Sequence, residues 1–211
     1  TAGLRWIVTG WPNDSWDDII SRISRTGLVD GWVPGERAAY DRDSAWFILG
    51  ELVRRLEGRP IEQVVRDDIM RPIGMRDSWM AMPPEVLDEY GERFGHFWAY
   101  KPTGLKLLRS HDPHIAAAPS PGATCRGPIR ELGYFYEMLL NGGIRGGVRL
   151  LKPETVALMT QRHREGLFDE TFQHRIDFGL GLLINSNRYG GERVLHGCGT
   201  YEPEHALGHD G

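Results

Sequence analysis

Lysine is nearly missing from this 211-residue chain: Lys101, Lys106 and Lys152 are the only three among 25 lysines and arginines. Any reaction that needs a lysine side chain therefore has three candidates. Cysteine is as sparse. Cys125 and Cys198 cannot build a disulfide scaffold, and their spacing leaves one bridge or two free thiols equally open. The longest apolar runs are a handful of residues, too short for a transmembrane helix. No basic-then-apolar leader opens the sequence, and cytoplasmic and periplasmic or secreted locations both fit it. An excess of one charge is lacking too. The net charge of -4 argues against nucleic acid or an anionic membrane as the main partner.

What remains is ordinary globular composition, 40% hydrophobic and 26% charged, which excludes disordered, collagen-like and coiled-coil chains. The length suffices for a substantial core in one large or two small domains. Glycine and proline are frequent (27 and 13 residues), so long loops are expected.

Asn13-Asp14-Ser15 offers N-cap chemistry for a helix through Ile19, Ile20 and Ile23 that closes at Thr26-Gly27. After the turn signal Trp32-Val33-Pro34-Gly35 comes the strongest helical pattern, Asp43 to Glu57. Its apolar stripe is Ala45, Ile48, Leu49, Leu52, Val53 and Leu56, with Glu51, Arg54, Arg55 and Glu57 opposite and Gly58 as the stop. Pro60 opens another helix, with Ile61, Val64, Val65 and Ile69 as its stripe and Pro72 and Gly74 as the stop. From about 93 to 127 periodicity disappears; this stretch holds Trp98, Tyr100, His96, His111 and His114 and reads as a long functional loop or lid. A helix with Ile129, Leu132, Tyr136, Leu139 and Leu140 on one face follows, ending at Asn141-Gly142-Gly143. Val148–Leu151 reads as a strand and Pro153 opens a helix through Val156 and Met159. Asp177–Asn185 and Glu192–Leu195 read as strands of a hairpin around Tyr189-Gly190-Gly191. The expected division is a mostly helical 1–160, including the loop at 93–127, and strands over 161–211.

Six segments, in order, resemble the penicillin-recognising serine hydrolases, which include class C β-lactamases, D-Ala-D-Ala peptidases and β-lactamase-like carboxylesterases. Thr1-Ala2-Gly3-Leu4 is similar to the end of the family's HTSGL segment, and Pro34 to Tyr40 to its PGxxxxY. Leu49-Gly50-Glu51-Leu52-Val53 resembles LLGxII, and Met70 to Met75 resembles IxxPLGM. Glu137 to Gly143 with Arg149 to Thr155 is similar to xMLLNGG followed by RLLSPET. Gly208-His209-Asp210-Gly211 falls where the family has KTG or HxG. The fold so implied is α+β, β-lactamase/transpeptidase-like, this chain supplying mostly the helical domain plus strands and loops bordering an antiparallel sheet.

The implied chemistry is hydrolysis of an ester or amide through an acyl-enzyme, with no metal or organic cofactor and a small molecule as substrate. The family's nucleophile is the serine of S-x-x-K. No serine here has lysine three residues later. In the family that motif precedes HTSGL, so serine and lysine are expected outside this chain, which then reads as an internal segment. By resemblance Tyr40 passes the proton between serine and leaving group, a role that needs cationic neighbours, because a phenol titrates near ~10. Taken alone, Tyr40 also reads as a buried, hydrogen-bonded tyrosine ahead of a helix. His209 and Gly211 would border the oxyanion and carboxylate end of the site, with Asp210 between them; without the resemblance they read as a glycine turn with an exposed histidine. Where the family has Y-x-N, this chain has Tyr40-Asp41-Arg42. Loss of the asparagine that contacts a substrate amide, a departure the carboxylesterases share, tilts the expectation toward esters. Arg42 is either a substrate contact or a surface residue, and Trp98 and Tyr100 either line the acyl pocket or pack as ordinary aromatics.

Two other classes compete. His196, Cys198, Glu202, Glu204, His205 and His209 crowd six potential ligands into 14 positions. Against a metal site there, Gly208 and Gly211 disfavour the helix that would align His205 with His209, and no HExxH occurs. The third class is a non-catalytic binding or regulatory relative that keeps the fold and has lost the nucleophile.

Overall fold

The computed structural model describes residues 3, 7–109, 112–190, 199 and 201–209. Helix α1 (Trp16–Ser24) starts where the Ser15 hydroxyl accepts the Asp18 amide at 3.2 Å, and Asp17 and Asp18 in its first turn suit the positive end of the helix. Its Ile19, Ile20 and Ile23 meet Phe47 of α2 (Ser44–Glu57) in one apolar cluster. Phe47 is fully enclosed, which contributes roughly 2 kcal/mol.

Helix α2 ends at Gly58, whose positive φ of 65° lets its amide reach back to the Arg54 carbonyl. The buried face is not the apolar stripe that periodicity predicts. Ser44, Phe47, Gly50 and Glu51 point inward, whereas Leu49, Leu52 and Leu56 are 52%, 56% and 78% exposed. Close approach explains the rotation. A Cβ on Gly50 would stand 2.9 Å from Pro121 and 3.0 Å from Trp16, so the smallest residue of the helix marks its contact line. Glu51 is drawn to the same side by the Trp16 indole N–H at 2.8 Å.

The next helical segment begins as α3 (Ile61–Val64) and continues as a π-helix over Val65–Met70. Then come α4 (Pro84–Tyr90) and, inside the stretch expected to be a structureless loop, ordered elements. These are a hairpin of β1 (Trp98–Lys101) and β2 (Gly104–Leu107), followed by α5 (Pro113–Ala117). The Asp112 side chain caps α5 by accepting the His114 amide at 3.0 Å, a signal carried by Asp-Pro at a helix start.

Helix α6 (Ile129–Leu140) buries Met138 and Leu139 in a cluster with Met70, Ile73, Met75, Val156 and Leu182. Ile129, Leu132 and Leu140 of its expected stripe are exposed. The strand expected at Val148–Leu151 is the second arm of a tight hairpin, β3 (Ile144–Arg145) with β4 (Val148–Arg149), turned by Gly146 and Gly147 at positive φ. After α7 (Pro153–Thr160) come β5 (Phe168–Asp169) paired with β6 (His174–Arg175). The single strand expected over Asp177–Asn185 is two short ones, β7 (Asp177–Phe178) and β8 (Leu183–Ile184), because Gly179 and Gly181 fold the chain back between them. Strand β9 (Leu207–Gly208) joins β8 antiparallel, in the order β7-β8-β9. Glu192–Leu195 lies outside the described residues. No helix among the described residues is long and apolar enough to cross a membrane.

Candidate active site

Tyr40 stands at the end of an extended segment just ahead of α2. Asp41, next to it, fastens the start of that helix: one carboxylate oxygen accepts the amides of Asp43 and Ser44 at 2.9 and 2.7 Å. A side chain in the second position of the Y-x-N pattern is therefore committed to capping. Residues 37–40 are stitched to the β5–β6 hairpin by an Ala38–Asp169 bridge, by the Glu170 amide donating to the Ala38 carbonyl at 2.9 Å, and by a two-pronged Arg37–Glu170 ion pair.

The phenol ring is half-buried among aromatics. Phe172 stacks on it at 5.1 Å between centroids and Phe178 at 6.2 Å. Strand β9 delivers His209 to the same place, with Nε2 3.3 Å from the Tyr40 oxygen although 169 residues separate the two. Both line a cavity of about 320 Å³ together with Trp46, Leu49, Phe178 and Gly181. Gly179, also on the wall, is required by space: a Cβ there would stand 2.2 Å from the Met159 carbonyl oxygen.

Burial raises the Tyr40 pKa, and Asp43 and Asp41 add to the rise; the Trp46 hydrogen bond and the Arg42 charge oppose it and lose. The phenol is thus protonated at neutral pH and ready to donate. Desolvation holds the His209 imidazole below its usual pKa, so it is neutral there too. A neutral phenol against a neutral imidazole can pass a proton either way once a charge develops nearby.

Of the other residues singled out from sequence, Arg42 is exposed and pairs with Asp43 at 3.4 Å. Trp98 and Tyr100, on β1, are exposed and absent from the described lining of this cavity. Asp210 and Gly211 lie outside the described residues, as do His196 and Cys198 of the metal hypothesis. Among the described residues no three of His, Cys, Asp and Glu come together as a metal site, and Cys125 is a free thiol. Sequence reasoning missed Trp46, Asp169, Phe172 and Phe178. The Phe178-Gly179-Leu180-Gly181 run, two glycines in a strand pattern, was the available signal, since such glycines mark bends and close backbone approach.

Helices set against small antiparallel sheets, with a tyrosine and a histidine meeting in a cavity, make a β-lactamase/transpeptidase-like fold. The chain belongs to the Beta-lactamase family, whose model matches residues 1–211. It superposes on a penicillin-binding protein homologue from Caulobacter crescentus with a TM-score of 0.70 at 20% identity, covering 100% of this chain and 57% of that one. A family VIII carboxylesterase is similar with a TM-score of 0.66 at 26% identity, over 83% of this chain and 50% of the other. A protein of Escherichia coli O157:H7 named "Putative D-alanyl-D-alanine carboxypeptidase" is 25% identical over 206 residues, 91% of this chain and 44% of its own length. The chain thus spans about two fifths of the curated relatives it matches.

Proposed function

We propose that the protein carrying this chain is a serine hydrolase that works through an acyl-enzyme, with esters preferred over β-lactams and D-Ala-D-Ala peptides. The observation that carries the reading is the Tyr40 phenol 3.3 Å from His209 Nε2 inside an aromatic-walled cavity. In this reading Tyr40 takes the proton from the attacking serine and returns it to the leaving oxygen. The serine and its lysine come from polypeptide outside these 211 residues, none of whose serines heads S-x-x-K. That lysine supplies the positive charge that Tyr40 needs to work as a base and that Arg42 alone does not provide. In this reading His209, on the cavity wall, borders the oxyanion end.

Three features support the ester preference. Asp41 is spent on capping α2 and no asparagine follows Tyr40 at the Y-x-N position. Ala45, Trp46, Leu49 and Phe178 make an apolar wall suited to an acyl or alkoxy group. The carboxylesterase is also similar to this chain.

In the longer polypeptide that joins this segment to an S-x-x-K serine, Tyr40→Phe is expected to slow hydrolysis of a short-chain p-nitrophenyl ester by about 10²–10⁴ while the fold persists. Near-normal turnover would sink the role of Tyr40. Parallel rates on the ester and on nitrocefin decide the substrate class, and faster nitrocefin opening would reverse the preference.

A further inference from the structure

Asp169 is fully enclosed, at 0% exposure, and its carboxylate has four partners. One oxygen accepts the amides of Tyr40, Thr171 and Phe172 at 3.2, 2.9 and 3.1 Å. The other takes Nη1 of Arg164 at 2.7 Å. Arg164 is itself only 10% exposed and donates twice to the Ile176 carbonyl, and its guanidinium lies 4.1 Å over the Phe178 ring. Phe178 stacks with Phe172 at 6.4 Å, and both stack with Tyr40. The contacts close a loop: Asp169 to Arg164, Arg164 to Phe178, Phe178 to Tyr40, and the Tyr40 amide back to Asp169.

The hairpin turn tightens that loop. Gln173 adopts a positive φ of 55°, uncommon for a residue with a side chain, and its amide returns to the Asp169 carbonyl at 2.8 Å. The Thr171 hydroxyl donates to the Tyr40 carbonyl at 2.9 Å. Tyr40 is thereby held at its amide, its carbonyl and its ring by one five-residue turn built on Asp169. Few groups other than a carboxylate could do this, because three amide donors converge on one oxygen while a buried cation needs charge on the other.

Resting on Tyr40 as the proton carrier, we propose that Asp169 is a positioning residue for the reaction: it fixes where the Tyr40 phenol points and sets the Phe172 wall beside it. A misplacement near 1 Å at a proton-transferring group costs rate on the order of 10²-fold, whereas ground-state binding changes little. Its signature is a loss in kcat with KM preserved.

The test has two arms. With ¹³C-labelled tyrosine in the longer polypeptide, the Tyr40 ring resonances, assigned by their loss in Tyr40→Phe, are expected to move in Asp169→Asn, which turns an amide NH₂ toward Arg164. Glu131→Gln is the control. Glu131, on α6, is also a buried carboxylate, accepting from the Asp77 amide and the Ser78 hydroxyl, and its loss should lower Tm without moving Tyr40. In the longer polypeptide Asp169→Asn should lower kcat for p-nitrophenyl acetate about 10–100-fold with KM within about threefold, and Glu131→Gln should leave both unchanged. Thr171→Val, an exposed change, should move the same resonances less and serves if Asp169→Asn does not fold. Unmoved Tyr40 resonances in the folded variants, or a loss confined to KM, would overturn the proposal. The resonance arm needs no turnover, so a longer protein without esterase activity would count against the hydrolase reading and leave the placement of Tyr40 by Asp169 to be decided separately.

Discussion

Side-chain size at one position beside Tyr40 is set by backbone. A Cβ on Gly122 would fall 2.1 Å from the Arg42 carbonyl oxygen and 2.7 Å from the Trp46 ring, and the backbone contact cannot swing aside. Gly122→Ala must push apart the 120–124 turn and the Tyr40–Trp46 segment. The expected cost is about 1–3 kcal/mol of stability, read as a lower Tm. Parent-like Tm would mean that the close approach is relieved without cost. At this scale the sequence was informative only where a residue sits in a run of ordered motifs. Tyr40 and His209 emerge that way, although no local pattern says they touch. Asp169 is one of 29 acidic residues, and its link to Tyr40 comes from a pairing with a segment 129 residues away.

Helices show which part of a pattern survives folding and which does not. The ends of α1 and α2 were legible because caps are local chemistry: Ser15 accepting an amide at one end, Gly58 at positive φ at the other. The buried face of α2 was not, because burial is decided by neighbours. Glu51 shows the cost of reading polarity as exposure: it is 6% exposed and gathers the Trp16 indole and the guanidinium groups of Arg54 and Arg55 at 2.8, 2.7 and 2.6 Å. Those hydrogen bonds, that of Arg54 first, hold its pKa at about 2 against a usual value of 4.5. Since the folded pKa is depressed, this stabilisation is complete above pH 4.5 and is lost as pH falls through about 2. Both arginines are well exposed, so solvent screens the pairs, and Glu51→Gln is expected to cost about 1–2 kcal/mol at pH 7. Denaturant titrations at pH 7 and pH 2 check this: the gap between parent and variant should shrink at the lower pH. An equal gap at both would show that packing rather than charge makes the difference.

The molecule as a whole carries its apolar surface unevenly. The described core falls into three clusters, around α1 with Phe47, around α6 and α7, and around Met82, Leu87 and Ala116. The fold class was legible because six motif segments occur in family order. The ordered hairpin and short helix within 93–127 were not, since a four-residue strand leaves too short a trace to separate from loop. The stripes on α2 and α6 are left partly uncovered in the described structure: Leu52, Leu56, Ile129 and Leu140 are 56%, 78%, 82% and 87% exposed. Contiguous apolar side chains in water favour association. Replacing Leu52 and Leu56 with glutamine removes exposed hydrocarbon from a helix and leaves its buried face, Phe47, Gly50 and Glu51, intact. In the 211-residue chain the double substitution should therefore change stability by no more than about 0.5 kcal/mol, while sedimentation shows less self-association and a hydrophobic dye binds less. A fall in stability of several kcal/mol would mean that this face of α2 is buried in the folded chain.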